Sequence, residues 1–153
     1  MRVFRLSSEK YKNDLSGKGA EIAGGRWNNK GFSIVYTSES RALCTTEIAV
    51  RTPLGILPLN YFLIEIDIPN ELKIKELKLT DLPKDWKSYP HSNTTQQIGN
   101  AFIKEGKYVI LKVPSAAVQG DYNYLLNPKH KDFYKIKIIK TSLFNFDKRL
   151  FIK

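Results

Sequence analysis

The sequence predicts an α+β domain. Three observations carry the prediction: six runs with strand character, two segments with helical spacing, and no regular strand–helix–strand alternation among them.

The elements follow in chain order. "RVFRL" reads as a short first strand. Residues 13–31, "NDLSGKGAEIAGGRWNNKG", hold five of the nine glycines and read as a long loop, a kind that is usually functional or disordered. "FSIVYTS" is a second strand, with Ile34 and Tyr36 on one face and Val35 on the other. "SESRALCTTEIAVR" has the character of a helix that Ser38 or Ser40 caps and Pro53 stops. "NYFLIEIDI" alternates, placing Phe62, Ile64, Ile66 and Ile68 on one face, and "LKIKELKL" is a weaker strand. Residues 81–93 contain two prolines, Trp86 and several polar residues, and read as loop. "TTQQIGNAFIKEG" predicts a helix with Ile98 and Phe102 inward. "YVILKVPSA" is a strand stopped by Pro114, and "DYNYLLNPKHKD" reads as an irregular or short helical connection. "FYKIKIIKTSL" is a last strand, and "FNFDKRLF" closes the chain.

Length and composition bound the function. The 153 residues suit a single domain, 1–153, with one sizeable core. Hydrophobic residues at 42% and charged residues at 26% describe a globular chain. The net charge is +10, and residues 129–153 contribute +6 of it through eight Lys/Arg and two Asp. Such an excess suits nucleic acid, an anionic membrane, an acidic protein or a phosphate-bearing small molecule. The N-terminus lacks the apolar stretch of a secretory signal, and no run approaches a membrane span of ~20 apolar residues. Cys44 is the only cysteine, and His91 and His130 are the only histidines, which argues against a disulfide or a zinc site. A cytoplasmic, metal-free domain is expected, without a membrane role.

Several residues carry possible chemistry. From the helical step of ~100° per residue, Leu43, Glu47 and Val50 lie within about 60° of one another. Leu43 and Val50 are expected to face the core, so Glu47 points inward or to the edge of a cleft. An inward carboxylate needs a partner or a purpose. It is either a buried ion pair or hydrogen-bonded group, or a catalytic carboxylate tuned by its surroundings. Arg26 is the obvious cation. Gly24 and Gly25 allow close backbone approach, Arg26 offers a planar fork that matches phosphate oxygens, and Asn28 and Asn29 add donors. The plainer alternative makes Arg26 a surface residue and Trp27 a core plug. Phosphate-loop and GxGxxG patterns are absent. Tyr36 either fills core or offers a flat face to a nucleobase or nicotinamide ring. Ser115 follows a buried strand and is either a turn serine or a site residue. Asn123 and Asn127 can simply fix turns. The basic stretch "YKIKIIK" sets Lys135 and Lys137 on one face without the interleaved aromatics of a nucleic-acid platform.

Taken together, "VFRLS", "GRWNNKGFSIVYTSES", "RALCTTEIAV", "VPSAAV", "NYLLNPKH" and "FNFDKRLF" resemble the RES domain, the toxin half of bacterial RES/Xre toxin–antitoxin pairs. The motifs run in family order over nearly the whole chain. The Arg, Glu and Ser of the family name match Arg26, Glu47 and Ser115, and Tyr36 and Asn123 match two further pocket positions. The resemblance implies a split, curved mixed β-sheet flanked by helices and related to the ADP-ribosyltransferases. It implies NAD+ as substrate, destroyed by hydrolysis or phosphorolysis, or used to transfer ADP-ribose to an acceptor protein. It implies a cognate Xre-like antitoxin that blocks the cleft. Many relatives carry a His four residues after the Glu, where this chain has Arg51. On this reading Glu47, Arg26 and Tyr36 form the catalytic group, and Arg26, Trp27, Asn28, Tyr36, Ser115 and Asn123 contact substrate. No cofactor or metal is expected. The competing class is a non-catalytic basic module for nucleic acid, which would give Glu47 no role.

Overall fold

Alternating apolar residues build a sheet with two covered faces. The computed structural model describes residues 1–153. Its strands are Arg2–Ser8 (β1), Val35–Ser38 (β2), Tyr61–Asp67 (β3), Ile74–Glu76 (β4), Ile110–Pro114 (β5), Tyr122–Leu126 (β6) and Lys137–Phe144 (β7). Three α-helices accompany them: Lys18–Ala23 (α1), Arg41–Arg51 (α2) and Asn93–Glu105 (α3). The strands form one open sheet in the order β4-β5-β6-β2-β1-β3-β7. Only β4 and β5 run parallel. The α+β class and the mixed sheet are therefore as the sequence predicts.

The seam between β1 and β2 decides where the site lies. β1 and β3 are registered from Arg2↔Asp67 to Ser8↔Tyr61, and β2 and β6 from Val35↔Leu126 to Ser38↔Asn123. β1 and β2, by contrast, meet at the single pair Phe4↔Ser38. The sheet is thus two halves, β4-β5-β6-β2 and β1-β3-β7, joined at one point. The Cys44 thiol of α2 donates to the Phe4 carbonyl of β1 at 3.1 Å, at the seam's one paired residue.

One sheet face is shared and the other divided. Val3, Val35, Ile64, Ile66, Ile68, Ile110, Tyr124 and Leu126 pack into one cluster that spans both halves. On the opposite face, Phe4, Leu6 and Leu63 lie under Cys44 and Ile48 of α2, with Phe151 beside them. Ile34, Leu111, Val113 and Leu125 instead pack with Phe102 of α3 and with Trp27. So α2 covers the β1 half and α3 covers the β6 half.

Three expectations are corrected. "DYNYLLNP" contains the interior strand β6, with Tyr124, Leu125 and Leu126 buried. A strand buried on both faces shows no polar alternation, so its period is invisible. The 13–31 loop contains α1, a helix of six residues with none buried, and hence with no apolar period to read. Val50 is 63% exposed, so the buried face of α2 is Leu43, Cys44 and Ile48, and Glu47 stands at its edge. Ser40, not Ser38, caps α2, accepting from the Leu43 N–H at 3.0 Å.

Candidate active site

Glu47 projects from the middle of α2 at the border between the two halves. α2 packs on the β1 half, yet the Glu47 carboxylate is held by the other half. Its Oε1 accepts from Ser115 Oγ at 3.0 Å and from Asn123 Nδ2 at 2.8 Å. Both partners have fixed orientations. The Ser115 hydroxyl oxygen accepts from the N–H groups of Ala117 and Val118 at 3.1 and 3.0 Å, which leaves its proton for Glu47. Asn123 Oδ1 accepts from Ser38 Oγ at 2.7 Å, which directs the amide N–H toward Glu47. Glu47 Oε2 takes no hydrogen bond from the protein, and no buried side-chain polar atom lacks a partner, so this oxygen meets solvent. The result is a carboxylate anchored by one oxygen and open at the other.

The glycine-flanked loop supplies the other wall. Its backbone is fastened to α3 by a ladder of amides: Gln96 Nε2 donates to the Gly25 carbonyl at 3.0 Å, and Asn100 Oδ1 accepts from the Asn29 N–H at 3.0 Å. Gly99 permits the approach, since a Cβ there would stand 1.6 Å from the Trp27 carbonyl oxygen. Gly25 serves Tyr36 in the same way, a Cβ falling 2.7 Å from the phenolic oxygen. That oxygen accepts the Trp27 N–H at 3.0 Å and donates to Asn28 Oδ1 at 2.7 Å. Burial pushes the Tyr36 pKa far above its ordinary value, with the nearby Arg51 and Arg26 opposing only in part. The Tyr36 ring is therefore held in place, its hydroxyl engaged both as donor and as acceptor.

Arg26 reaches the segment before α3, where Nη1 donates to the carbonyls of Trp86 at 2.7 Å and Ser88 at 3.0 Å. Burial lowers its pKa, while the Glu47 carboxylate and Tyr36 act the other way. His91 is likewise lowered, first by burial and then by Arg26 and Arg51. Arg26, Tyr36, Glu47, His91 and Arg51 thus share one electrostatic neighbourhood. A cavity of about 510 Å³ opens beside them, lined by Ala23, Gly24, Gly25, Asn29, Lys30, His91 and Gln96. Of the groups just named only His91 lines it; Glu47, Arg26, Tyr36 and Arg51 do not.

The RES domain matches residues 1–147. The chain belongs to the RES domain family. It is 39% identical over 142 residues to the Prs ADP-ribosylating toxin of Sphingobium sp. (strain YBL2), covering 92% of this chain and 88% of that one. It is 38% identical over 152 residues to Toxin Res of Photorhabdus laumondii, covering 98% of this chain and 97% of the relative. Its fold is similar to that in the crystal structure of the M. tuberculosis MbcT–MbcA toxin–antitoxin complex, with a TM-score of 0.75 at 20% sequence identity over 94% of this chain and 84% of that one.

In this RES domain the expected residues divide. Glu47, Ser115 and Asn123 form one hydrogen-bonded cluster. Ser115 and Asn123 reach Glu47 instead of standing free for a substrate. Arg26 and Tyr36 make no hydrogen bond to that cluster: Arg26 is held by Trp86 and Ser88, and the Tyr36 hydroxyl by Trp27 and Asn28. Trp27 is 3% exposed and packs in the core beneath α3. Asn28 is 0% exposed, and its amide nitrogen donates to the carbonyls of Ala20, Asn29 and Phe32. These two side chains therefore build the loop and do not line the cleft, contrary to the expectation that they contact substrate. The sequence reading missed Ser38 as the group that orients Asn123. Its position opposite Asn123 in the β2–β6 register is a tertiary fact with no local signal.

Proposed function

We propose that the chain is the toxin of a toxin–antitoxin pair and that it cleaves the bond between nicotinamide and ribose in NAD+. One observation carries the reading: Glu47 Oε1 is pinned by Ser115 and Asn123 while Oε2 is left open. The Glu47 charge is also felt at Arg26.

The chemistry asks for little else. Nicotinamide leaves as a neutral ring that takes the electron pair of the N-glycosidic bond, so the leaving group needs no acid. Positive charge develops on the ribose, and a pre-positioned carboxylate stabilises it more than it stabilises the substrate. Glu47 Oε2 serves this purpose and orients the acceptor at the anomeric carbon. With water as acceptor the products are nicotinamide, ADP-ribose and a proton. Phosphate in its place gives a phosphorylated ADP-ribose. Arg26 holds the diphosphate with the guanidinium nitrogens not engaged by Trp86 and Ser88, and Tyr36 walls the nicotinamide.

Transfer of ADP-ribose to an acceptor protein is the second reading, and the name of the Sphingobium relative favours it. The antitoxin is an Xre-like protein that closes the cleft, and the net charge of +10 suits an acidic inhibitory segment. Action on NAD+ fits a cytoplasmic toxin. A nucleic-acid module is disfavoured by an anchored carboxylate in the cleft, whose charge repels phosphate.

The test is incubation of the purified chain with NAD+ and measurement of free nicotinamide. Glu47→Gln should retain NAD+ binding and lose about 10³-fold in turnover. Wild-type turnover in that variant would remove Glu47 from the mechanism. Nicotinamide release only when a protein acceptor is added would decide for transfer.

A further inference from the structure

Arg5, Arg26 and Arg51 are engaged differently. Arg5 Nη1 donates to the Asp14 carbonyl at 2.5 Å, and Arg26 Nη1 donates to Trp86 and Ser88. Arg51 makes one hydrogen bond, from Nε to the Glu47 carbonyl at 3.2 Å. Neither of its terminal nitrogens has a partner in the protein, and no carboxylate forms an ion pair with it. It is exposed, in contrast to Arg5 and Arg26.

Its placement is set by the helix. Arg51 lies four residues after Glu47, one turn on along the same face of α2. The Nε bond to the Glu47 carbonyl fixes the base of the guanidinium and leaves the two-pronged end outward. That end acts on the same groups as Arg26: both oppose the upward shift of Tyr36, and both hold His91 below its ordinary value. Arg51 thus stands one turn beyond Glu47 with an unpartnered fork, and the shared influence on Tyr36 and His91 is consistent with that placement.

We propose that Arg51 is a second diphosphate-binding residue, gripping the substrate's bridging phosphates from the α2 side opposite Arg26. A free guanidinium fork matches adjacent phosphate oxygens, and two cations from separate elements match the two charges of a dinucleotide diphosphate. The inference rests on the reading of the cleft as a dinucleotide site. A helix-capping role alone would also account for the Nε bond, and the experiment separates the two.

The experiment is calorimetric titration of ADP-ribose into wild-type protein, Arg51→Ala and Arg51→Lys, with thermal melting of each. Arg51→Ala should weaken ADP-ribose binding about tenfold or more. Arg51→Lys, which keeps the charge and loses the fork, should fall between. Its melting temperature should match wild type, because the helix end keeps its cation. Arg51→Ala binding ADP-ribose within about twofold of wild type would overturn the proposal. So would Arg51→Lys that binds like wild type, since charge without the fork would then suffice. Wild-type protein that binds ADP-ribose but releases no nicotinamide from NAD+ would overturn the enzymatic reading and leave the clamp standing. Wild-type protein that binds no ADP-ribose would remove both.

Discussion

At the scale of single residues, the site is an acid whose orientation is set by neutral groups. Ser115→Ala removes one hydrogen bond to Glu47 Oε1 and leaves the N–H groups of Ala117 and Val118 without their acceptor. It should lower stability by about 1–3 kcal/mol in a denaturant melt. Asn123→Ala frees the carboxylate to move, and turnover of NAD+ should drop by about 10²-fold with a smaller change in KM. Equal loss in both parameters would place Asn123 on the substrate instead. His91 adds a pH dependence. Its folded pKa lies below the ordinary 6.5 because burial, Arg26 and Arg51 all disfavour the charged form. The unfolded chain therefore takes up the proton first, so this contribution is intact above that value and is lost as pH falls through the folded pKa. Melting temperature should decline from about pH 7.5 to about pH 5.5, and His91→Gln should decline less. The residue types at the site were legible in the sequence, because an acid on a helix facing inward and an arginine behind two glycines both demand explanation. Their hydrogen bonds were not. Nothing in "VPSAAV" or "DYNYLL" tells that Ser115 and Asn123 point at Glu47, since the register of β5, β6 and α2 decides it.

At the scale of elements, the loop of residues 24–29 acts as part of α3. Gly99 is the point of closest approach. Gly99→Ala gains helix propensity but drives a methyl group into the Trp27 carbonyl, and the clash should prevail, lowering stability by about 1–3 kcal/mol. A melting temperature above wild type would contradict the packing described for this contact. The same variant should weaken NAD+ binding, because it shifts the backbone that carries Arg26. β3 was legible because Ile64, Ile66 and Ile68 alternate with Glu65 and Asp67 in the sequence, although Leu63 to Ile66 are all buried. β6 was not, because Tyr124, Leu125 and Leu126 are buried in succession and "NYLLNP" carries turn formers at both ends. β4 shrinks to three exposed residues, since "LKIKELKL" offers its edge to solvent and has only β5 to pair with.

At the scale of the molecule, the joint between the halves is the weakest line in the sheet. Amide exchange should be fastest, among the interior strands, along the facing edges of β1 and β2 outside the Phe4↔Ser38 pair. Uniform protection across β6, β2, β1 and β3 would show the joint to be as firm as its neighbours. The Glu47 carboxylate crosses this line: its backbone is rooted over β1, and its side chain is braced from the ends of β5 and β6. A rotation at the join would therefore slacken the brace, and the cluster shared by both halves on the other face is what resists it. Substitutions that loosen this shared cluster are expected to unsettle the Glu47 carboxylate without touching it.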